Sequence, residues 1–268
     1  MFTVLGATGF VGSRLVAHLQ EQGLPFSAPG RGDEFSRRPL GDVISCVGLT
    51  ADFRSRPLAT VDAHVGHLRR ALAECEFDSF TYLSSTRLYG LTGGPTTESS
   101  AIAAEPANPD HLYNLSKAMG ESLLLASGRP GRVVRLSNVY GPDFGSENFL
   151  STIVRDAVRT GRVVLRTSLD SEKDYVNVSD VVELLPRIAA GGRRPIYNVA
   201  AGVNVSNGQI VQRLAALTGC EVAVAAGAPV VRFPAIDTTL VREEYGFSPR
   251  NLLEDLPALV KAYEAGPS

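Results

Sequence analysis

Tyr113 and Lys117 have the chemistry and spacing of a proton-transfer pair, in the segment HLYNLSKAMGE at residues 111–121. Side chains four residues apart lie one above the other on a helix face. An ammonium in that position favours the phenolate, so it lowers the tyrosine pKa from about 10 toward working pH. A phenol of this kind can exchange a proton with a carbonyl or alcohol oxygen. The alternative is an amphipathic helix with a half-buried tyrosine and a solvated lysine.

A glycine-rich turn near the start of the chain predicts a dinucleotide site. An apolar strand at residues 2–5 leads into the turn, and apolar residues then recur at helical spacing. The three glycines allow a tight turn, a close approach of the backbone to a pyrophosphate, and close helix–strand packing. The helix N-terminus offers free N–H groups to the phosphates, although a turn without a ligand is the alternative. The cofactor contacts expected here are Gly6, Thr8, Gly9, Phe10, Val11 and Gly12.

Arg31 bears on the choice of cofactor. It follows the second predicted strand, at residues 25–28. An NAD site usually has an acidic residue at the end of this strand, bound to the adenosine ribose. That place falls at Gly30, and an arginine beside it suits a 2′-phosphate, so we expect NADP. NAD is the alternative, because Asp33 and Glu34 are close enough to bind a ribose hydroxyl.

The composition narrows the classes of partner. Apolar residues make up 44% of the chain and charged residues 20%, which is typical of a soluble globular protein. The net charge of -2 gives no reason to expect nucleic acid or an anionic membrane. No apolar run approaches the roughly 20 residues of a membrane span, and the strand-like start leaves no room for a signal peptide. We therefore expect a cytoplasmic protein.

The cysteines and histidines predict no metal site. The 3 cysteines are widely spaced, without a Cys-x-x-Cys, and we interpret them as core thiols in a reducing compartment. The 4 histidines do not combine with carboxylates in a ligand pattern. His64 and His67 share one helix face, which we expect to be solvated.

Alternating strands and helices over residues 1–140 predict an α/β fold with a doubly wound parallel sheet of Rossmann type. Too few residues separate Arg31 from the next strand, at 43–47, for a full crossover, so one βα unit is trimmed or missing. The stretch 93–109 is a loop rich in turn-forming residues that could act as a lid. The expected domains are a dinucleotide-binding domain at 1–145, completed by part of 175–200, and a smaller, interwoven substrate lobe at 146–268.

Five motifs occur in the order found in one family. The motifs are the glycine turn 6–12, Leu83-Ser84-Ser85, Tyr113-x-x-x-Lys117, Arg135-x-x-Asn138-Val139-Tyr140-Gly141-Pro142 and the segment KDYVNVSD at 173–180. By these motifs the chain resembles the extended short-chain dehydrogenase/reductases, in the epimerase/dehydratase branch that acts on nucleotide sugars, over nearly its whole length.

The resemblance implies roles for individual residues. Ser85 would hydrogen-bond the reacting oxygen, Tyr113 would exchange the proton, and Lys117 would hold the nicotinamide ribose and lower the Tyr113 pKa. Further cofactor contacts would be Val47, Gly48 and Ser84. Substrate contacts would be Thr86, Arg87, Asn138, Asn148, Lys173 and Arg232, the last two basic groups facing the diphosphate.

The resemblance also bears on the reaction and on the assembly. Dehydratases of the family carry an Asp-Glu pair just after the catalytic hydroxyl, where this chain has Thr86 and Arg87, so dehydration is disfavoured. The short chain and Arg31 favour an NADP-dependent 4-ketoreductase of a keto-deoxysugar nucleotide. A 4-epimerase with tightly bound NAD, or an NADP-binding regulator without catalysis, is the alternative. We expect a homodimer formed through the helix at 60–75 and the Tyr113 helix.

Overall fold

The computed structural model describes residues 1–30, 39–50, 53–90 and 93–266. The strands in this part of the chain are β1 (Phe2–Leu5), β2 (Phe26–Ser27), β3 (Asp42–Ser45), β4 (Ser79–Ser85), β5 (Gly131–Leu136), β6 (Asn138–Tyr140), β7 (Arg162–Leu165), β8 (Glu172–Asn177), β9 (Ile196–Val199), β10 (Asn204–Ser206) and β11 (Glu221–Val224). The α-helices are α1 (Phe10–Glu21), α2 (Pro57–Val61), α3 (His67–Glu74), α4 (Leu112–Ala126), α5 (Phe149–Thr160), α6 (Val178–Gly191), α7 (Asn207–Thr218), α8 (Thr239–Tyr245) and α9 (Leu252–Ala265).

A parallel sheet of order β2-β1-β3-β4-β5-β9 forms the centre of the fold. Strands β1 and β3 are buried along nearly their whole length, as expected for inner strands of a parallel sheet that is covered on both faces. The predicted fold class, an α/β Rossmann-type doubly wound sheet, is confirmed. Among the described residues no strand lies beyond β2, which is two residues long, in keeping with the predicted loss of one βα unit.

Helices cover both faces of this sheet. On one face α1 and α6 place Leu15, Leu19 and Val181 in a cluster with residues of β1 and β5. On the other face α3 and α4 place Leu68 and Leu124 against the aromatic residues of β4. Burial of these side chains fixes the helices, and through α4 it fixes the position of Tyr113 over the sheet.

The C-terminal lobe has its own core and is interwoven with the sheet. Strands β10, β8 and β6 form one small sheet, and β11 pairs with β7 in parallel. Helices α5, α7 and α9 surround a second apolar cluster that includes Leu165, Leu214 and Leu256. The chain leaves the central sheet after β5 and returns to it at β9. Within the described residues, no helix combines the length and the apolar character that crossing a membrane requires.

A π-helical turn, Asp62–Gly66, joins α2 to α3 and overturns one expectation. The expected solvated face is wrong for His64, which is fully buried. The His64 ring lies within the π turn beside the segment that follows β3, where Leu49 N donates to its Nε2 at 3.1 Å. Its Nδ1 lies 2.8 Å from the Ser116 hydroxyl of α4. These partners satisfy both ring nitrogens, so the imidazole can be buried without loss of its hydrogen bonds.

Candidate active site

The carboxyl ends of β1, β3 and β4 meet at one edge of the sheet, below α4. The segments that follow these strands are the glycine turn, residues 46–50 and the short 3-10 helix Thr86–Tyr89. In open α/β sheets this edge, beside the point where the strand order reverses, is where ligands bind. Here the order reverses at β1, which lies between β2 and β3. The fold therefore brings the predicted cofactor and catalytic segments to one cleft.

The glycine turn has no room for side chains. Gly6 has a φ of +75°, and a Cβ on it would lie 2.9 Å from Val47 N. A Cβ on Gly12 would lie 2.2 Å from Gly6 O, so only glycine lets α1 begin this close to β1. Helix α1 has neither a side-chain cap nor an acidic residue in its first turn. Its first N–H groups are therefore available to an anion, as the pyrophosphate of a dinucleotide requires.

The floor of the cleft has the features of a nicotinamide site. Gly48 is exposed, and a Cβ on it would lie 3.4 Å from Lys117 Nζ, so the backbone of this segment passes directly over the lysine. The Ser84 hydroxyl is buried without a hydrogen-bond partner. A buried hydroxyl in this state is stabilised by any ligand that supplies the missing partner. With the open glycine turn, these residues fit a nicotinamide dinucleotide.

Tyr113 lies near the start of α4 with its side chain buried. Burial raises the pKa of its phenol, while hydrogen bonds with Ser85 and Thr50 and the positive charge of Arg87 lower it. The Ser85 hydroxyl also accepts a hydrogen bond from Arg87 N at 3.2 Å, which orients it at the end of β4. Ser85 and Tyr113 can therefore address the same substrate oxygen.

Lys117 lies one turn along α4 from Tyr113, as its spacing predicts. Its Nζ donates to Leu83 O at 2.8 Å. Burial lowers the pKa of Lys117 to about 7, partly offset by the negative charge of Glu121. Helix α4 carries both residues, and the Leu83 carbonyl holds the ammonium against the sheet, while the lowering of the Tyr113 pKa by Lys117 stays a prediction.

The predicted substrate contacts divide into two groups. Arg87 and Lys173 are half-buried, and burial, followed by the positive charge of Arg87, lowers the pKa of Lys173. Thr86 is buried beneath them. The remaining three are exposed: Asn138 donates to Asp174 O at 2.8 Å, Asn148 caps α5, and Arg232 bridges the backbone of Glu172. Arg31 lies outside the described residues.

Two features of the site escaped the sequence analysis. Phe53 and His64 contact the Tyr113 ring, with centroid distances of 5.6 Å and 5.3 Å, and no local pattern marks either residue. Glu121 forms a buried ion pair with Arg135 at 2.7 Å, which ties α4 to β5. The sequence does carry a signal for Glu121, because it continues the four-residue spacing from Tyr113 through Lys117.

Comparison with known proteins finds a family model and relatives that match this chain. The family model described as the NAD dependent epimerase/dehydratase family matches residues 42–200. A dTDP-glucose 4,6-dehydratase of Streptomyces griseus is 31% identical over 196 residues. That match covers 69% of this chain and 58% of the relative, so the chain spans less than two thirds of the relative's length.

Two further matches cover nearly the whole chain. A dTDP-6-deoxy-L-talose 4-dehydrogenase (NAD(P)(+)) of Kitasatospora kifunensis is 24% identical over 295 residues, which cover 94% of this chain and 92% of the relative. The structure of RMD from Pseudomonas aeruginosa, complexed with NADPH, has a TM-score of 0.81 at 22% identity. It covers 98% of this chain and 99% of RMD, and it shows that the two proteins share a fold.

Proposed function

The chain belongs to the NAD dependent epimerase/dehydratase family, and from this membership we propose that it is an NAD(P)-dependent oxidoreductase of nucleotide-diphosphate sugars. The most specific form of the proposal is a 4-ketoreductase that reduces a keto-deoxysugar nucleotide with NADPH in the cytoplasm. The Kitasatospora relative, a dTDP-6-deoxy-L-talose 4-dehydrogenase, supports this form because its match extends over 94% of the chain.

The observation that carries the proposal is the environment of Ser85, Tyr113 and Lys117. The three side chains lie at the sheet edge, where Ser85 lowers the pKa of the Tyr113 phenol and Leu83 O holds Lys117 Nζ. In the described part of the chain, no carboxylate forms a hydrogen bond or an ion pair with any of the three. Elimination of water needs an acid and a base besides the tyrosine, whereas reduction of a ketone needs only one proton donor.

The chain's own residues would perform the proton half of the reduction. The Tyr113 hydroxyl would donate its proton to the keto oxygen, and the Ser85 hydroxyl would hydrogen-bond the same oxygen as negative charge develops on it. A reduced nicotinamide, when bound over Gly48 and Lys117, would supply the hydride to the carbonyl carbon. Arg87 and Lys173 would hold the anionic part of the substrate, and the buried position of Tyr113 would limit access of water.

The experiment is a substrate-dependent cofactor assay with the purified protein. Oxidation of NADPH is followed by absorbance after addition of a dTDP-4-keto-6-deoxyhexose made in situ by a dTDP-glucose 4,6-dehydratase, and the sugar product is analysed by NMR. Consumption of NADPH with appearance of the 4-hydroxy sugar supports the ketoreductase. Interconversion of UDP-glucose and its 4-epimer without net cofactor consumption would contradict the ketoreductase proposal and support the 4-epimerase. Absence of both reactions, with NADP bound, would favour a binding protein.

A further inference from the structure

The His64 imidazole lies between residues 46–50, which follow β3, and helix α4. Leu49 N donates a hydrogen bond to its Nε2 at 3.1 Å, and its Nδ1 lies 2.8 Å from the Ser116 hydroxyl. That hydroxyl donates in turn to Tyr113 O at 3.0 Å. A continuous series of three hydrogen bonds therefore joins the backbone of residues 46–50 to the backbone of Tyr113.

The two ends of this series fix the direction of every hydrogen bond in it. A backbone N–H can only donate, so Nε2 must be the unprotonated nitrogen of the His64 ring. The neutral ring then carries its proton on Nδ1 and donates it to the Ser116 hydroxyl, whose own proton goes to the Tyr113 carbonyl. One tautomer is thereby selected, because neither the other tautomer nor the imidazolium can accept from Leu49 N.

The same imidazole contacts the side chain of Tyr113. The two rings meet edge-on, with centroids 5.3 Å apart and an interplanar angle of 87°. His64 is fully buried, so no solvent can take the place of these partners if they are lost. His64 therefore constrains Tyr113 at two points, at the backbone carbonyl through Ser116 and directly at the ring.

The backbone around His64 is held as firmly as the ring. His64 belongs to the π turn, a feature often found at functional sites, and its carbonyl accepts a hydrogen bond from the Tyr82 hydroxyl of β4 at 3.2 Å. Gly120 of α4 leaves the space that this hydroxyl occupies, since a Cβ there would lie 2.4 Å from the oxygen. A Cβ on Gly48 would lie 3.6 Å from His64 Nε2. The ring thus fixes the separation between residues 46–50 and α4.

We propose that His64 is a positioning residue that fixes Tyr113 relative to residues 46–50, where the nicotinamide would bind. Hydride transfer and proton transfer act on the two adjacent atoms of one carbonyl, so the phenol and the nicotinamide must keep a fixed relation during reduction. The hydrogen-bond series supplies that relation, because it starts one residue after Gly48 and ends at Tyr113. The inference rests on the proton transfer proposed above, but not on the identity of the sugar.

The tautomer of His64 provides a test that needs no substrate. The full chain is labelled with 15N in histidine, and the His64 signals are identified as those missing from His64→Gln. At neutral pH we expect Nε2 to have the chemical shift of an unprotonated nitrogen and Nδ1 that of a protonated one. The opposite tautomer, or an imidazolium, would overturn the proposal, because neither can link Leu49 to Ser116.

Amide exchange at Leu49 tests the cofactor end of the series. The side-chain amide of His64→Asn can take the place of Nδ1 and keep the Ser116 bond, whereas the oxygen of His64→Gln can reach Leu49 N. We expect the Leu49 amide to exchange on the order of tenfold faster in His64→Asn and at close to the parent rate in His64→Gln. An unchanged rate in His64→Asn would show that His64 does not hold this segment.

A pair of serine variants tests the tyrosine end. Ser116→Ala and the control Ser79→Ala each remove a buried hydroxyl beside a backbone carbonyl, Tyr113 O at 3.0 Å and Ala189 O at 2.7 Å, but Ser79 lies at the far end of β4 from the site. With 13C-labelled tyrosine, the Tyr113 ring signal, which is the one missing from Tyr113→Phe, should move in Ser116→Ala and stay in place in Ser79→Ala. Thermal melting establishes that both are folded. A ring signal that Ser116→Ala leaves in place would overturn the proposal.

Kinetics separate positioning from support of the fold once a reducible substrate is known. His64→Phe keeps a ring beside Tyr113 but removes both nitrogens, so kcat should fall on the order of 10-fold to 100-fold. The double variant with Tyr113→Phe should be no slower than Tyr113→Phe alone, because His64 acts through the phenol. Losses that multiply in the double variant would overturn the proposal. If every sugar nucleotide is refused, the proposed function fails, and the NMR measurements alone decide this inference.

Discussion

At the scale of single residues, the Tyr113 hydroxyl is the group on which turnover should depend. Tyr113→Phe keeps the ring against Phe53 and His64 but removes the proton, so kcat should fall by about 100-fold to 10,000-fold. Titration with NADPH should give an unchanged affinity. Tyr263→Phe, which loses a hydroxyl bonded to Asp143 O in the other lobe, is the control and should keep its rate. An undiminished kcat in Tyr113→Phe would show that Tyr113 is not the proton donor.

Arg31 should decide the preference between NADPH and NADH. Gly30 occupies the place of the ribose-binding acid, and a forked contact from Arg31 to a 2′-phosphate, at roughly 1.5–3 kcal/mol, corresponds to about a tenfold or greater preference. Paired titrations of both cofactors on the parent and on Arg31→Ala measure this ratio, with exposed Arg213→Ala as the control. A parent that prefers NADH, or a ratio that Arg31→Ala leaves unchanged, would contradict the expectation.

The parts of the site that the sequence predicts are those formed by residues close together in the chain. The glycine turn, and the pairing of Tyr113 with Lys117, are local patterns, so their positions could be inferred from spacing alone. The Tyr113 ring contacts Arg87 and His64, which lie far from it in sequence. Which side chains meet the phenol therefore depends on how β4, α4 and the π turn pack, and one sequence does not specify those contacts.

At the scale of elements, the π turn between α2 and α3 should make stability depend on pH through His64. The folded-state pKa of about 3 lies below the ordinary value of 6.5, so between these values the unfolded chain binds a proton that the folded chain does not. The contribution of neutral His64 to the free energy of unfolding is therefore fully present above pH 6.5. It falls as pH drops, by at most about 1.4 kcal/mol per pH unit. Urea unfolding of the parent and His64→Gln between pH 6.5 and pH 5 measures the difference in slope. Equal slopes would show that His64 does not contribute.

Most elements were predictable because their periodicity is regular. Apolar spacing predicts a helix at 149–160 and a strand at 132–136, and the structure has α5 at Phe149–Thr160 and β5 at Gly131–Leu136. The π turn was not predictable in the same way. One extra residue in a helix changes which side chains face the core, but it leaves the composition of the segment unchanged, so His64 was assigned to the wrong face.

At the scale of the whole molecule, the exposed apolar side chains of α2 and α4 support the expected homodimer. Leu58, Val61, Met119 and Leu125 are 81%, 37%, 58% and 43% exposed, on two helices that pack side by side. A second copy related by a twofold axis would bury this face on itself. Light scattering at micromolar concentrations should give twice the chain mass, and Met119→Glu should give the monomer. Val230→Glu, an exposed apolar position elsewhere, is the control. A monomeric parent would refute the expectation.

The parallel sheet with its covering helices can be predicted from sequence more readily than the order in which the chain forms its strands. Alternation of strands and helices predicts a parallel sheet with covered faces, because few other arrangements bury such runs. The expectation that part of 175–200 completes the dinucleotide-binding domain does not single out a strand, since β9 is one of several short apolar runs after residue 145. Its pairing with β5 depends on how α6 crosses the sheet, which is a property of the assembled core.

The return of the chain to β9 has a consequence for how the protein is made. Strand β5 pairs with β9 from Val133 with Ile196 to Leu136 with Val199, and the intervening residues build much of the other lobe. During synthesis the edge of β5 therefore stays open until the ribosome has released residue 199. An unpaired strand edge of this kind invites pairing with other nascent chains. We therefore expect slower translation between β5 and β9 to lower the yield of folded protein, because it lengthens the time for which this edge is open.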